Sequence, residues 1–297
     1  LLQGGMAWIA DGRLAAAVSN AGGVGIISAM NIDQLRAEIK IARELTDKPF
    51  GVNIMLQSKF ADEAAEIIAD ERVALVTTGA GMPTKYMERW ISAGTKVIPV
   101  IASVSMARMM EKLGADAVVA EGQESGGHIG ELTTMALVPQ VCDATPLPVI
   151  AAGGIADGSG LAAALMLGAC GVQMGTRFLS AKECGIHPVY KEKILKAGDL
   201  CTMVTGKRLG HPVRSLRTKF TREYFEAEYS GASEEALEAM ASGALRLAAQ
   251  EGDETRGCFL AGQIASMVKK EQSAAQIIEE VTGEAEPILS RASQWVK

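Results

Sequence analysis

The chain has 297 residues, enough to bury one large α/β barrel or two smaller domains. Alanine, glycine and methionine are plentiful and aromatics make up only 4%, which favours helices packed closely on a sheet over a β-sandwich. A formal net charge of −6 argues against nucleic acid as the main partner, because a phosphate-binding footprint is basic overall.

The five cysteines, Cys142, Cys170, Cys184, Cys201 and Cys258, form no CxxC and do not cluster with histidine. Structural zinc is therefore not expected, and reduced thiols in a cytoplasmic protein are. No charge-free apolar run is long enough to cross a membrane. Leu1 and Leu2 run into QGGM as though the front of a strand were missing, which leaves a lost leader open.

Short apolar runs alternate with helical stretches at the spacing of successive βα units. Leu1 and Leu2 end a first strand, and Leu14 to Ala21 reads as a helix. A second strand runs from Val24 to Ile27, ahead of an amphipathic helix from Asp33 to Leu45. The third spans Phe50 to Ile54 and carries Asn53 at its exit, before a helix from Ala61 to Ala69 with Asp62 and Glu63 at its positive end. Ala74 to Val76 and Val97 to Ile101 are the fourth and fifth strands, and the latter leads into a helix over Met106 to Leu113 that Ser103 or Ser105 can cap. Ala117 to Ala120 is the sixth, followed by a helix from Thr133 to Cys142. The seventh, Val149 to Ala152, precedes a helix from Leu161 to Leu167, and Gly171 to Met174 is the eighth. Eight strands with intervening helices predict an α/β fold of the (β/α)8 TIM-barrel type.

Beyond Phe178 the pattern changes to longer helical segments, including Ala232 to Ala249 and Gln263 to Lys270. The division read from this is a barrel over residues 1–186 and a helical, substrate-covering region over 187–297, with the last helices packing back on the barrel.

The unusual residues fall just after strands. GGMA, Asn53, TTGAG, EGQESGGHIG, AAGGI and MGTRF all lie there, and this is the end of a barrel that holds its site. In EGQESGGHIG the glycines Gly126 and Gly127 let a flat ligand approach the backbone while His128 reaches across it. One of three histidines in the chain, His128 is a candidate acid or base. The plainer alternative is a loop histidine that hydrogen-bonds locally. AAGGI and MGTRF offer backbone N–H groups, a threonine hydroxyl and nearby positive charge where barrels commonly seat a phosphate. The alternative there is glycine that only allows close packing. GGVG at 22–25 precedes its strand and so is not a dinucleotide fingerprint.

QGGMAW, AGGVGII, KPFGVNIML, VTTGAG, AEGQESGGHIG, VIAAGGIADG and QMGTRF, taken in this order with KYMER and HPVYKEKILKA, resemble the FMN-dependent enoyl-acyl carrier protein reductases (FabK type). These stand within the wider group of nitronate monooxygenases, formerly called 2-nitropropane dioxygenases. SAMN after the second strand departs from the pattern, where the family has more glycine.

The resemblance implies FMN with its phosphate on Gly153, Gly154, Gly175 and Thr176. It sets the isoalloxazine ring near Met6 and Ala7, with Asn53, Glu121 and Gly126 around its polar edge. Gly5, Thr77, Gly127, Gln173 and Met174 complete the cofactor-binding set, and His128 is the catalytic residue. It further implies NADH or NADPH as co-substrate, room for a monovalent cation, acyl carrier protein as partner and a homodimer. The reaction implied is reduction of a trans-2-enoyl thioester. Nitronate oxidation with oxygen on the same flavin is the runner-up, and a non-catalytic flavin or phosphosugar-binding protein is the reading from another class.

Outside the mouth, His187 and His211 each precede a proline and read as loop residues. Cys170 is expected to pack as a small apolar group and the Met106, Met109 and Met110 cluster to lie in the core. The run TGKRLGHPVRSLRTKFTR, from Thr205 to Arg222, carries Lys207, Arg208, Arg214, Arg217, Lys219 and Arg222 without an acid. It is expected to form a landing surface for acyl carrier protein or to contact the nicotinamide dinucleotide, and otherwise to be a solvated face.

Overall fold

The computed structural model describes residues 1–295. Eight parallel strands form one sheet: β1 (Leu2–Gln3), β2 (Ile26–Ser28), β3 (Gly51–Met55), β4 (Leu75–Gly79), β5 (Lys96–Ile101), β6 (Val118–Glu121) and, beyond the short β7 (Gly127–His128) that stands outside it, β8 (Val149–Ala152) and β9 (Gly171–Met174). Their order is β1-β9-β8-β6-β5-β4-β3-β2. A parallel bridge from Leu2 to Val24 brings the two edges together, with Gln3 N–H donating to Val24 O at 3.0 Å. This closed, all-parallel arrangement is the (β/α)8 barrel that the strand count predicts.

Between the strands lie α1 (Gly12–Asn20), α2 (Ile32–Leu45), α3 (Ala61–Asp70), α4 (Met87–Ser92), α5 (Val104–Lys112), α6 (Thr134–Ala144) and α7 (Gly158–Met166). Local chemistry starts several of them. The Asp11 carboxylate accepts from Leu14 N–H at 2.8 Å, Ser103 caps α5 through Met106 N–H, and Asp157 caps α7 through Gly160 N–H. In α2 the buried residues Ile32, Leu35, Ile39 and Ala42 recur at helical spacing and face the sheet. Strands β6 and β8 are covered on both faces and accordingly read VVAE and VIAA, without alternation.

The small residues act where helices meet. A Cβ on Gly12 would lie 2.3 Å from Glu38 O, and one on Gly25 2.0 Å from Ala15 O, so α1 reaches α2 and the barrel wall only because these positions lack side chains. Two surface expectations fail. Cys170 is exposed ahead of β9, and Met109 is 45% exposed although its neighbour Met110 is buried. Helical spacing gave the register of α5 but not the width of its buried stripe.

The region after Phe178 departs from a purely helical reading. A 3-10 turn over Thr176–Ser180 and α8 (Pro188–Leu195) are followed by β10 (Thr202–Thr205) and β11 (Val213–Leu216), which pair antiparallel. The strand β11 also pairs with β7, so a three-stranded sheet stands over the mouth. Both strands are four residues long, and the GKRLGHP turn between them masks their alternation. Then come α9 (Lys219–Tyr229), α10 (Glu234–Ala241) and α11 (Ala244–Arg246). The helix expected over Ala232 to Ala249 is broken at Gly243, whose φ of +72° is left-handed. That expected over Gln263 to Lys270 is a 3-10 turn ending at Met267. Finally α12 (Ala274–Arg291), opened by a reciprocal Ser273–Gln276 capping box, runs back along α7 and α1. Among the described residues, no helix is long and apolar enough to cross a membrane.

Candidate active site

The loops after β1, β3, β4, β6, β8 and β9 converge at the C-terminal mouth. Among the described residues, two of the three non-glycine residues with positive φ, Trp8 (+62°) and Ala80 (+53°), lie in these loops, a place where backbone strain commonly accompanies function.

The first wall comes from the loop after β1. Gln3 is buried and fixes that loop, its Oε1 accepting from Ile26 N–H at 3.1 Å and its Nε2 donating to Ile26 O and Gly4 O. Gly4 N–H donates to Met174 O at 2.9 Å, and Ile9 and Ala10 N–H both donate to Met6 O, closing a tight turn that holds Met6 and Ala7 at the opening. A Cβ on Gly5 would be 2.1 Å from that of Asn53, so this backbone presses directly on β3. Asn53 Oδ1 in turn accepts from Thr77 Oγ1 at 2.9 Å. Gly5, Asn53 and Thr77 thus touch in succession, the loop after β1 pressing on β3 and β3 bonding to its neighbour β4.

The opposite wall is a backbone cradle. Gly153 and Gly154 have φ of +89° and +76°, and a Cβ on Gly153 would lie 2.8 Å from Gly122 O. In front of Gly175 there is open space, bounded by Met6 Cγ at 3.8 Å from a Cβ built there. The N–H groups of Gly154, Gly175 and Thr176 meet no acceptor among the described residues. Beside them Gln173 Oε1 is a buried acceptor without a partner, next to Gly4. N–H groups converging on open space suit an anion, and an orphaned acceptor suits a ligand with an N–H. Both features fit FMN, a phosphate at one end and a ring with a polar edge at the other.

Over the cradle hangs the loop after β6. Glu124 accepts from Thr134 N–H through both carboxylate oxygens at 3.0 Å, tying this loop to the start of α6. Thr134 Oγ1 lies 2.8 Å from Gly153 O and joins the two glycine loops. His128 sits opposite Val213 in the β7–β11 ladder, and Ile129 N–H donates to Pro212 O at 3.0 Å. Arg214, buried, donates from Nε to Gln123 O at 3.0 Å and from Nη1 to Thr202 Oγ1 at 3.1 Å. Gly126 packs on the Ala261–Gly262 backbone, where its own Cβ would be 2.6 Å from Ala261 C, while Gly262 N–H donates to Thr176 Oγ1 at 2.9 Å. The segment around 260–262 therefore bridges the histidine loop and the loop after β9.

Desolvation sets the electrostatics. His128 itself is exposed, but the atoms packed around its ring partly desolvate it and lower its pKa below the ordinary 6.5, with His211 nearby adding to the effect, which favours the neutral imidazole. Burial pushes the Glu121 carboxyl, at the end of β6, up to about 7. Among the described residues no group of three or more His, Cys, Asp or Glu could hold a metal ion.

The residues read from the sequence thus gather at one mouth: Gly5, Met6, Ala7, Asn53, Thr77, Glu121, Gly126, Gly127, His128, Gly153, Gly154, Gln173, Met174, Gly175 and Thr176 all belong to its six loops or the strand ends beneath them. Gln3, Glu124, Arg214 and Gly262 also belong to it and were missed. Arg214 stood in the basic run, but nothing in its spacing separated it from its solvated neighbours. Gly262 lies 86 residues from Thr176 and carries no local signal. His187 proves to be the N-cap of α8, with Nδ1 accepting from Val189 N–H.

Comparison with known proteins places this geometry in a family. The nitronate monooxygenase family profile matches residues 1–69 and 60–284. A probable nitronate monooxygenase of Staphylococcus saprophyticus is 33% identical, over 98% of this chain and 96% of its own length. A (3aS,4S,5R,7aS)-5-hydroxy-7a-methyl-1-oxo-octahydro-1H-indene-4-carboxyl-CoA dehydrogenase of Mycobacterium tuberculosis is 42% identical over 228 residues, and the matched chain spans 64% of that relative's length. Among solved structures, FabK from Thermotoga maritima superposes with a TM-score of 0.96 at 52% identity, covering 99% of this chain and 95% of that one. A nitroalkane oxidase from Streptomyces ansochromogenes superposes at 0.86 with 30% identity, over 97% and 96% of the two chains. By family profile, by full-length relative and by fold, the chain belongs to the nitronate monooxygenase family, and within it resembles the FabK type.

Proposed function

We propose that the protein is an FMN-dependent enoyl-acyl carrier protein reductase that oxidises NADH or NADPH and saturates a trans-2-enoyl thioester. At the coarser level the family and its neighbours indicate an FMN-type oxidoreductase. The observation that carries the finer reading is the likeness to FabK, 52% identical over 99% of the chain, against 33% and 30% for the nitronate monooxygenase and nitroalkane oxidase relatives.

FMN, when bound, supplies the centre that takes a hydride from reduced nicotinamide and delivers it to the β-carbon of the thioester. The chain's own residues do the rest. The N–H groups of Gly154, Gly175 and Thr176 would hold the phosphate, and the Met6–Ala7 turn would support the ring. The Asn53–Thr77 pair, Gln173 and Glu121 would face its polar edge. His128 serves the thioester, either by donating to the carbonyl oxygen, which gains negative charge as the β-carbon is reduced, or by supplying the proton to the α-carbon. The lowered pKa favours a neutral imidazole, which suits the hydrogen-bond donor. Acyl carrier protein would present the thioester, and a cytoplasmic homodimer is the assembly we propose.

Nitronate oxidation is the second reading, favoured by the match to the S. saprophyticus relative over 98% of this chain. His128 would then take the proton α to the nitro group and oxygen would replace the nicotinamide. Supplying the purified protein with NADH and crotonyl thioester, and separately with a nitroalkane and oxygen, distinguishes the two. NADH absorbance should fall on addition of the thioester. Oxygen uptake that needs only the nitroalkane would overturn the reductase assignment.

A further inference from the structure

A groove of about 550 Å³ lies in the cap between β10 and α9, lined by Met203, Val204, Lys207, Arg217, Arg222 and Phe225. Its lining holds three cations and no carboxylate, in a chain whose formal net charge is −6. None of the three forms an ion pair among the described residues, whereas the adjacent Lys219 is engaged by Glu223 at 3.8 Å. Phe225 is 40% exposed and presents a ring to the groove alongside the side chains of Met203 and Val204.

Three unpaired cations beside an aromatic face match a purine that carries a pyrophosphate. Through Met203 the groove adjoins the strand row that carries His128. His128, Val213 and Thr205 are cross-strand partners in one row of the cap sheet, so their side chains share a face. Met203 lies two residues from Thr205 on β10 and points to that same face. Two strand spacings and a two-residue rise separate Met203 from His128 by roughly 12 Å.

We propose that this groove binds the adenosine-pyrophosphate end of the reduced nicotinamide dinucleotide, which leaves the nicotinamide end free to reach the mouth beside His128. This rests on the reductase reading, because only there does a nicotinamide donor enter. The basic run is poorly suited to the broad acidic face of a carrier protein. Of its six cations Arg214 is buried on Gln123 and Thr202, Arg208 bonds Ala232 O and Lys219 pairs with Glu223. The groove keeps the other three, of which Arg217 also donates from Nη2 to Thr202 O at 3.4 Å and so is held at the edge of β10 with its charge uncompensated. Coenzyme A carries the same adenosine pyrophosphate, but a thioester delivered on a carrier protein brings no adenine.

ADP is the probe. Calorimetry should show ADP binding to the flavin-loaded protein and to the flavin-free protein. The Lys207→Glu/Arg222→Glu and Phe225→Ala variants should each weaken it, the double variant by roughly tenfold or more. Rapid mixing should show the NADH dissociation constant for flavin reduction rising in parallel, while reduction by reduced nicotinamide mononucleotide, which lacks the adenosine, stays as in the parent. Absence of ADP binding overturns the proposal. So does an equal loss with both donors, or a rise confined to the Michaelis constant for an acyl carrier protein or coenzyme A thioester. Enoyl reduction by protein whose flavin has been reduced with dithionite needs no nicotinamide, so it tests the reductase reading separately from the groove.

Discussion

On one side of the mouth Gly153, Gly154, Gly175 and Thr176 hang from β8 and β9, strands of the closed barrel sheet. On the other, His128 hangs from β7, whose ladder partner is β11 of the cap. The first side is made of backbone, positioned by glycines at positive φ and by a large core that runs from Ile9 to Val281. The second depends on a segment more than 80 residues downstream, whose outer part packs around a separate small core of Phe220, Tyr224, Leu237 and Ala244. A site divided in this way can hold its cofactor without being competent to use it. Barrel residues should govern retention of the flavin, and cap residues should govern turnover.

The largest expected effect is at His128. His128→Ala should keep its flavin and lose about 10² to 10⁴ in turnover with an enoyl thioester, the usual loss for a positioned acid, base or donor. Flavin reduction by NADH should suffer far less. Rapid mixing resolves the two half-reactions, and an unimpaired reaction of the reduced flavin with thioester would remove the histidine from the chemistry. Gly175→Val makes the converse break. A side chain there enters the open space at the cradle, not the core, so the protein should fold and elute colourless. Full flavin occupancy in that variant would move the phosphate elsewhere.

Glu228 tests the cap side. It is fully buried in α9 and accepts from Gly206 N–H at 2.9 Å and Arg208 N–H at 2.7 Å, which pins the turn between β10 and β11. Glu228→Ala orphans both donors, at a cost of about 1–3 kcal/mol each where they stay out of water. Urea unfolding should show the loss, flavin content should hold, and turnover should fall as β11 loosens its grip on β7. Equal losses of flavin and turnover would mean that the two sides of the mouth are a single unit.

The barrel and the cap also differ in how far they can be read from sequence. The strands β6 and β8 announce themselves as buried apolar runs, and the loops after them stand out because glycine and histidine have few reasons to sit there. AAGGI and MGTRF could be placed at the mouth, as a candidate anion cradle, because a barrel exposes its strand ends there. The residues alone could not choose FMN over a sugar phosphate, which would use the same N–H groups. The cap strands TMVT and VRSL are too short to show a period, and their partner is two residues of a glycine loop. Whether Arg214 faces water or the Gln123 carbonyl is decided by that tertiary pairing, and so is the contact between Thr176 and Gly262.

The smallest effect concerns Glu121, a barrel residue at the end of β6 whose carboxyl is raised to about 7 by burial. Its folded pKa lies above its unfolded value of about 4.5, so the stability linked to holding this proton is fully present below about pH 4.5 and is lost as pH rises through about 7. His128 works in the other direction. Its pKa is lowered, so its contribution is present above about 6.5 and lost as pH falls through the folded value. Replacing the carboxyl with an amide of the same shape removes the first dependence and leaves the second. Between about pH 6 and about pH 8 the parent should therefore lose about 1 kcal/mol relative to Glu121→Gln, less than half of the full span of that pKa shift. Urea unfolding of both proteins at the two pH values measures it. Parallel pH curves would mean that Glu121 is ionised and solvated at the mouth, and would withdraw it from the polar edge of the ring.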